Sequence, residues 1–152
     1  MNKILFPIVS FLLINIIFTA YSFAQGGMGR KGSSSWESKS SFNRMYNPST
    51  VETIKGEVVS VDKISPIKGM SSGIHLMLKT NKGTVSIHLG PAWYFESHNY
   101  VIKVKNKIEI TGSRITYDGK PVVIAAEVKK GNKIIKLRDE NGFPVWSGGR
   151  KN

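Results

Sequence analysis

The stretch Ile74-His75-Leu76-Met77-Leu78-Lys79-Thr80-Asn81-Lys82-Gly83-Thr84-Val85-Ser86-Ile87-His88-Leu89 decides how this chain folds. Ile74–Lys79 and Thr84–Leu89 each alternate strictly, the period of a strand with one buried face. Thr80-Asn81-Lys82-Gly83 between them suits a short hairpin connection. Setting Lys79 opposite Thr84 puts Leu78 against Val85 and Leu76 against Ile87, so one face is apolar. A slip of one residue would scramble that face, so the register is strongly specified. The same register sets His75 opposite His88 and Met77 opposite Ser86 on the other face.

Upstream of this hairpin, Thr53–Ile64 is rich in Val and Ile and reads as a strand. Gly56 inside it marks a bulge or a barrel bend. Residues 65–73 form a loop by their Pro, Gly and Ser content. Downstream, Gly90-Pro91-Ala92-Trp93-Tyr94-Phe95 opens a short aromatic helix, with Pro91 in its first turn, that plugs one end of the core. Strands follow at Lys107–Tyr117 and Pro121–Lys129, turned by Asp118-Gly119. Ile134-Ile135-Lys136-Leu137 extends the sheet, Asp139-Glu140-Asn141-Gly142 turns the chain, and Phe143, Val145 and Trp146 form a closing clasp.

Three strands, a short helix and two or more further strands, in about a hundred residues, make an all-β fold. The expected architecture is a small five- to six-stranded OB-fold-like Greek-key barrel with the helix between strands 3 and 4. A small open sandwich is the alternative. In such a barrel ligands meet the face of strands 2 and 3 and the loops joining strands 1–2 and 4–5, here residues 65–73 and 117–120.

The N-terminal end reads differently. Lys3, the apolar run Ile4 to Ala20 and the small-x-small ending Ser22-Phe23-Ala24 make residues 1–24 a secretory signal peptide, cleaved between Ala24 and Gln25. An uncleaved anchor is the alternative, since the run is long enough to span. Residues 25–50, rich in Gly and Ser, form a flexible tether that buries too little surface to offset its ordering entropy. Trp36, Phe42, Met45 and Tyr46 within it are free to dock. The barrel then occupies 51–147, and 148–152 is a loose tail. The expected location is the periplasm or the exterior, with membrane contact through the signal peptide only.

Charge and cysteine content narrow the chemistry. The chain has 22 Lys+Arg against 10 Asp+Glu, a net charge of +12. A basic exported protein meets anionic lipid, polysaccharide and acidic proteins; the bland alternative is a solvated surface. Basic residues cluster as Lys103, Lys105 and Lys107; as Lys129, Lys130 and Lys133; and as Lys136, Arg138, Arg150 and Lys151. If the second and third groups share a face, an acidic partner or anionic surface docks there. There is no cysteine, so disulfides, thiol chemistry, Cys-based zinc sites and CxxCH haem attachment are excluded.

The histidine pair is the strongest chemical feature. His75 and His88 side by side, with the Met77 thioether on the same face and Met70 in the loop, form a candidate soft-metal site for copper. Without metal they are hydrogen-bonding groups in a ligand face that also holds Ser86, Lys79 and, from the 4–5 loop, Tyr117. Tyr117 is the one stacking platform a nucleic-acid strand would find there, and export removes most nucleic acid from reach. No nucleophile motif occurs and the carboxylates are scattered, so an enzyme is not expected.

Several segments carry a family resemblance: Gly56-Glu57-Val58-Val59-Ser60-Val61, His75 to Thr80, His88-Leu89-Gly90-Pro91-Ala92-Trp93-Tyr94, Thr111-Gly112-Ser113-Arg114, Asp118-Gly119-Lys120-Pro121, and Leu137 to Gly142 with Trp146-Ser147-Gly148. Over roughly residues 50–150 the chain resembles small exported bacterial proteins of the magnetosome MamS/MamX type. The resemblance implies export and an OB-type barrel. Some relatives carry CxxCH haem motifs; without cysteine, haem-based electron transfer does not carry over. The expected function is a non-catalytic periplasmic module for a small ligand, an ion or a partner protein, with nucleic-acid or anionic-polymer binding as the alternative.

Overall fold

A computed structural model describes residues 43–65 and 71–147. The expected signal peptide, most of the expected tether, the centre of the 65–73 loop and the expected tail lie outside them.

Among the described residues six strands and one α-helix follow in the expected order: β1 (Val51–Ile64), β2 (Gly73–Thr80), β3 (Gly83–Pro91), α1 (Ala92–Ser97), β4 (Lys107–Tyr117), β5 (Lys120–Lys130) and β6 (Lys133–Lys136). At about 3.3 Å per residue β1 is roughly 45 Å long, too long for one flat sheet. It bends instead. Its first half pairs with β4, from Val51 opposite Ser113 to Glu57 opposite Lys107. Its second half pairs with β2, from Glu57 opposite Lys79 to Ile64 opposite Gly73, with a bulge between Val58 and Ser60. Gly56 sits at the bend rather than at the bulge. A Cβ there would strike the Lys79 carbonyl and come within 2.9 Å of Leu78 Cγ, so the crossing requires glycine.

The β2–β3 hairpin has the register read from sequence: Lys79 opposite Thr84, Leu78 opposite Val85, Met77 opposite Ser86, Leu76 opposite Ile87 and His75 opposite His88. A parallel pairing of β3 with β5, Ile87 opposite Val123, closes the ring β1-β2-β3-β5-β4. This is the closed five-stranded barrel of an OB-type fold, with β6 added beside β5 as an extra strand. Closure removes the free edges that an open sandwich would leave.

Leu76, Leu78, Ile87, Leu89, Ile110, Val123, Ala125 and Val128 fill the barrel with no exposed surface. Phe95 of α1 plugs one end and packs on Tyr100. Pro91 stands one position ahead of the expected first turn, as the N-cap. The clasp closes through Trp146, which packs on the core, while Phe143 stays 39% exposed.

Two expectations need correction. Composition makes 25–50 a tether throughout, yet residues 43–50 pack on the barrel with two 3-10 turns, Asn43–Met45 and Pro48–Thr50. Tyr46 covers Ile124 on the outer side of β5, with Met45, Ile115, Ala126 and Trp146 around them. The Ser113 hydroxyl accepts a hydrogen bond from the Asn47 backbone at 2.9 Å and shares another with Thr50 Oγ1. Aromatic burial and these two hydrogen bonds outweigh the ordering cost there. Arg138, grouped by sequence with surface cations, is 1% exposed. It donates through Nη1 to the carbonyls of Leu89 and Ala125 and through Nη2 to Asn43 Oδ1 at 3.3 Å. Its guanidinium lies 5.1 Å from the Trp146 ring centre. Three donors answered by acceptors and a stacked ring make that burial tolerable.

Candidate functional site: an imidazole row on the outer barrel face

The hairpin that carries the histidines is pinned at its turn. Thr80 Oγ1 donates to the Gly83 carbonyl at 2.8 Å and accepts from Lys82 N–H at 3.2 Å, and Gly83 takes φ 119°, open only to glycine. With the turn held, the outward side chains of β2 and β3 are set in fixed pairs.

The His75 and His88 rings meet edge to face, with centroids 4.3 Å apart. His75 Nε2 and the Ser86 hydroxyl share a hydrogen bond of 2.5 Å. Tyr117 stands on the far side of His88, ring centroids 5.6 Å apart. Met77 lies opposite Ser86 on the same face. His75, Met77, Ser86, His88 and Tyr117 therefore come together. Lys79 shares the face but sits beside the hairpin turn, opposite Thr84. Met70 lies outside the described residues. His98 is separate: its Nδ1 bonds to the Tyr94 carbonyl at the end of α1.

The row also has members that sequence reasoning missed. β1 places Asp62 opposite His75, and its carboxylate favours the charged form of that ring. Locating Asp62 required the β1–β2 register, which a long loop hides. Arg138 is close enough to His88 to disfavour its protonation.

Both imidazoles are held neutral. Burial lowers the pKa of His75, with Asp62 partly opposing. Burial, then the charges of His75 and Arg138, push His88 down to about 4. His88 is only 5% exposed, so the expected outward-facing pair is one half-covered ring and one covered ring. The physical reason is that β5 and Tyr117 flank β3 on this side. A neutral imidazole offers one N–H donor and one lone-pair acceptor, and it is the form that binds metals. Among the described residues no three His, Cys, Asp or Glu side chains gather as a ligand set. A metal held here would take a ring nitrogen from each histidine and displace Ser86 from His75.

Other concavities among the described residues lie elsewhere. A groove of about 980 Å³ runs between the first residues of β1 and the β2–β3 turn, lined by Thr53, Thr80, Lys82 and Arg114 among others. A cleft of about 500 Å³ is lined by Gly56, Lys107, Ile108 and Lys129 among others. Neither contains an expected site residue.

A closed barrel of OB type with a half-covered imidazole row on its β2–β3 face defines the class. The chain belongs to the MamS/MamX magnetosome protein family, whose model matches residues 50–135. No curated protein sequence matches it. Among solved structures it is similar to the N-terminal domain of the PriB protein from Thermoanaerobacter tencongensis, at 15% identity over 56% of this chain and 99% of that one, with a TM-score of 0.45. It is also similar to a small single-stranded DNA binding protein from Mycoplasma pneumoniae, at 17% identity over 57% and 98%, with a TM-score of 0.38. A third is TiaS, solved with agmatine, at 12% identity and a TM-score of 0.42; there the match covers 57% of this chain and only 25% of TiaS. These are distant neighbours, and what they bind stays with them.

Proposed function

We propose that this chain is a non-catalytic binding module of the cell envelope that takes a small ligand or ion on the outer face of β2 and β3. One observation carries the reading: His75 and His88 are opposed in register, 4.3 Å apart and neutral. His75 and His88 supply ring nitrogens, Ser86 a displaceable hydroxyl and Met77 a soft contact. Lys79 and Tyr117 border the face at its two ends. Residues 1–24 act as a cleaved export signal, which places the module in the periplasm or outside.

Zinc(II) and copper(I) titrations of the full chain, followed at the histidine ring protons, test this. His75 and His88 are expected to shift together below millimolar metal. His75→Ala should weaken that response at least about tenfold, since it removes one of two nitrogen donors. Unmoved rings at millimolar metal would overturn the ion reading.

A second reading rests on the net charge of +12: an anionic polymer bound largely through lysines. A single-stranded oligonucleotide would then shift lysine and Tyr117 resonances with steep salt dependence and leave the His75–His88 pair unchanged.

A further inference from the structure

The four most exposed large apolar residues of the described chain are Ile134 at 57%, Val101 at 54%, Val104 at 52% and Val59 at 48%. They lie on three segments far apart in sequence, yet hydrogen bonds to backbone carbonyls bring those segments to one end of the barrel. Val58 N–H donates to the Asn106 carbonyl at 2.9 Å, and Lys105 N–H to the Val58 carbonyl at 2.8 Å. Those bonds lay the 103–106 turn beside Val59. Tyr100 OH donates to the carbonyls of Val128 and Lys133, and Lys130 Nζ donates to the Val101 carbonyl. Those bonds lay the 100–102 segment beside the β5–β6 turn and Ile134.

The tip is built to be rigid. Asn106 N–H donates to the Lys103 carbonyl at 3.1 Å, and Asn106 Oδ1 accepts from Lys103 N–H at 2.8 Å. Lys105 takes φ 73°, a left-handed conformation that disfavours a side chain. The turn that these bonds fix carries Val104 at its tip, 52% exposed.

Lysine surrounds these apolar points. Lys103 and Lys105 flank Val104; Lys130 and Lys133 flank the β5–β6 turn before Ile134. Lys107 and Lys129 line the 500 Å³ cleft near the same end, facing Glu57 and Glu109. The first two basic groups of the sequence thus share an end.

We propose that this end docks on an anionic lipid surface, with Val104 and its neighbours entering the headgroup layer and the lysines over the phosphates. The residue types favour lipid over a protein partner. Protein interfaces are depleted in lysine and enriched in Tyr, Trp and Arg, whereas scattered aliphatic tips ringed by lysine suit a diffuse negative surface. The contact is separate from the imidazole row and extends membrane contact beyond the expected signal peptide.

The chain lacks cysteine, so a single Val104→Cys change in the full chain accepts one environment-sensitive fluorophore. Thr116→Cys, exposed toward the opposite end of β4, is the control. On vesicles of phosphatidylcholine with roughly one-third phosphatidylglycerol, the probe at 104 should shift to the blue and the probe at 116 should not. The shift should vanish at about 0.5 M salt, where screening shortens to a few ångströms. Because each lysine near such a surface is worth about fivefold in partitioning, Lys103→Gln with Lys105→Gln and Lys133→Gln should weaken the response at least about tenfold. His75→Ala should leave it unchanged. A probe at 104 that stays wet on vesicle-bound protein would overturn the proposal. So would equal shifts at 104 and 116, or equal shifts on pure phosphatidylcholine.

Discussion

His88 and Arg138 show how position overrides residue type. Read as residues, one is a surface ligand and the other a solvated cation. In the fold both are covered: the Arg138 charge helps keep His88 neutral, and burial lowers Arg138 to about 9. His88 therefore makes stability depend on acid. Its folded pKa of about 4 lies below the ordinary 6.5, so between those values the unfolded chain holds a proton that the folded chain refuses. Stability is full above about pH 6.5 and is lost as pH falls toward 4. The shift amounts to about 3 kcal/mol. His75, shifted the same way, adds in the same direction, with Asp62 beside it opposing. Urea unfolding at pH 7 and pH 4.5 should show His88→Gln losing less stability across that interval than the parent. Parallel losses in the two proteins would contradict the assigned burial.

Among the elements, β5 is the least ordinary. Its run Val122-Val123-Ile124-Ala125-Ala126 is buried on both sides: Val123 and Ala125 face the barrel interior, Ile124 and Ala126 the outer cluster under Tyr46. That explains an unbroken apolar strand in a protein whose other strands alternate. β4 follows β5 closely enough that a Cβ on Gly112 would overlap the Ile124 carbonyl and lie 2.8 Å from Ala125 Cα. Backbone cannot yield as a side chain does. Gly112→Ala should cost about 2 kcal/mol in thermal or urea unfolding, whereas Lys120→Ala at the exposed head of β5 should fall within about 0.5 kcal/mol. The β2–β3 hairpin was readable because only two residues, Asn81 and Lys82, join its strands. The β1–β2 register was not, since eight residues, Ser65–Ser72, join those strands.

Across the molecule, the two ends of the described chain meet on one side of the barrel. Asn43 and Tyr46 come from the N-terminal segment, Arg138, Gly142 and Trp146 from the C-terminal one. Arg138 links Asn43 to carbonyls of β3 and β5. Gly142 leaves room for the Tyr46 ring. The seam where β3 meets β5 in parallel is short, three residue pairs, and this second layer lies across it. Tyr46→Ala should therefore cost about 3 kcal/mol and uncover Ile124, raising both dye binding to apolar surface and proteolysis near residue 43. An unchanged unfolding midpoint would mean the N-terminal segment is not fastened.

Strand periods, turn residues and the β2–β3 register are properties of neighbouring residues, so composition and spacing alone carried the barrel class and the meeting of His75 with His88. The docking of 43–50, the burial of Arg138 and His88, the place of Asp62 and the gathering of Val59, Val101, Val104 and Ile134 depend on contacts between segments tens of residues apart. Local patterning leaves such contacts undetermined, because a side chain's burial is set by whatever closes over it. Here that is a ring of strands shut by β3 against β5.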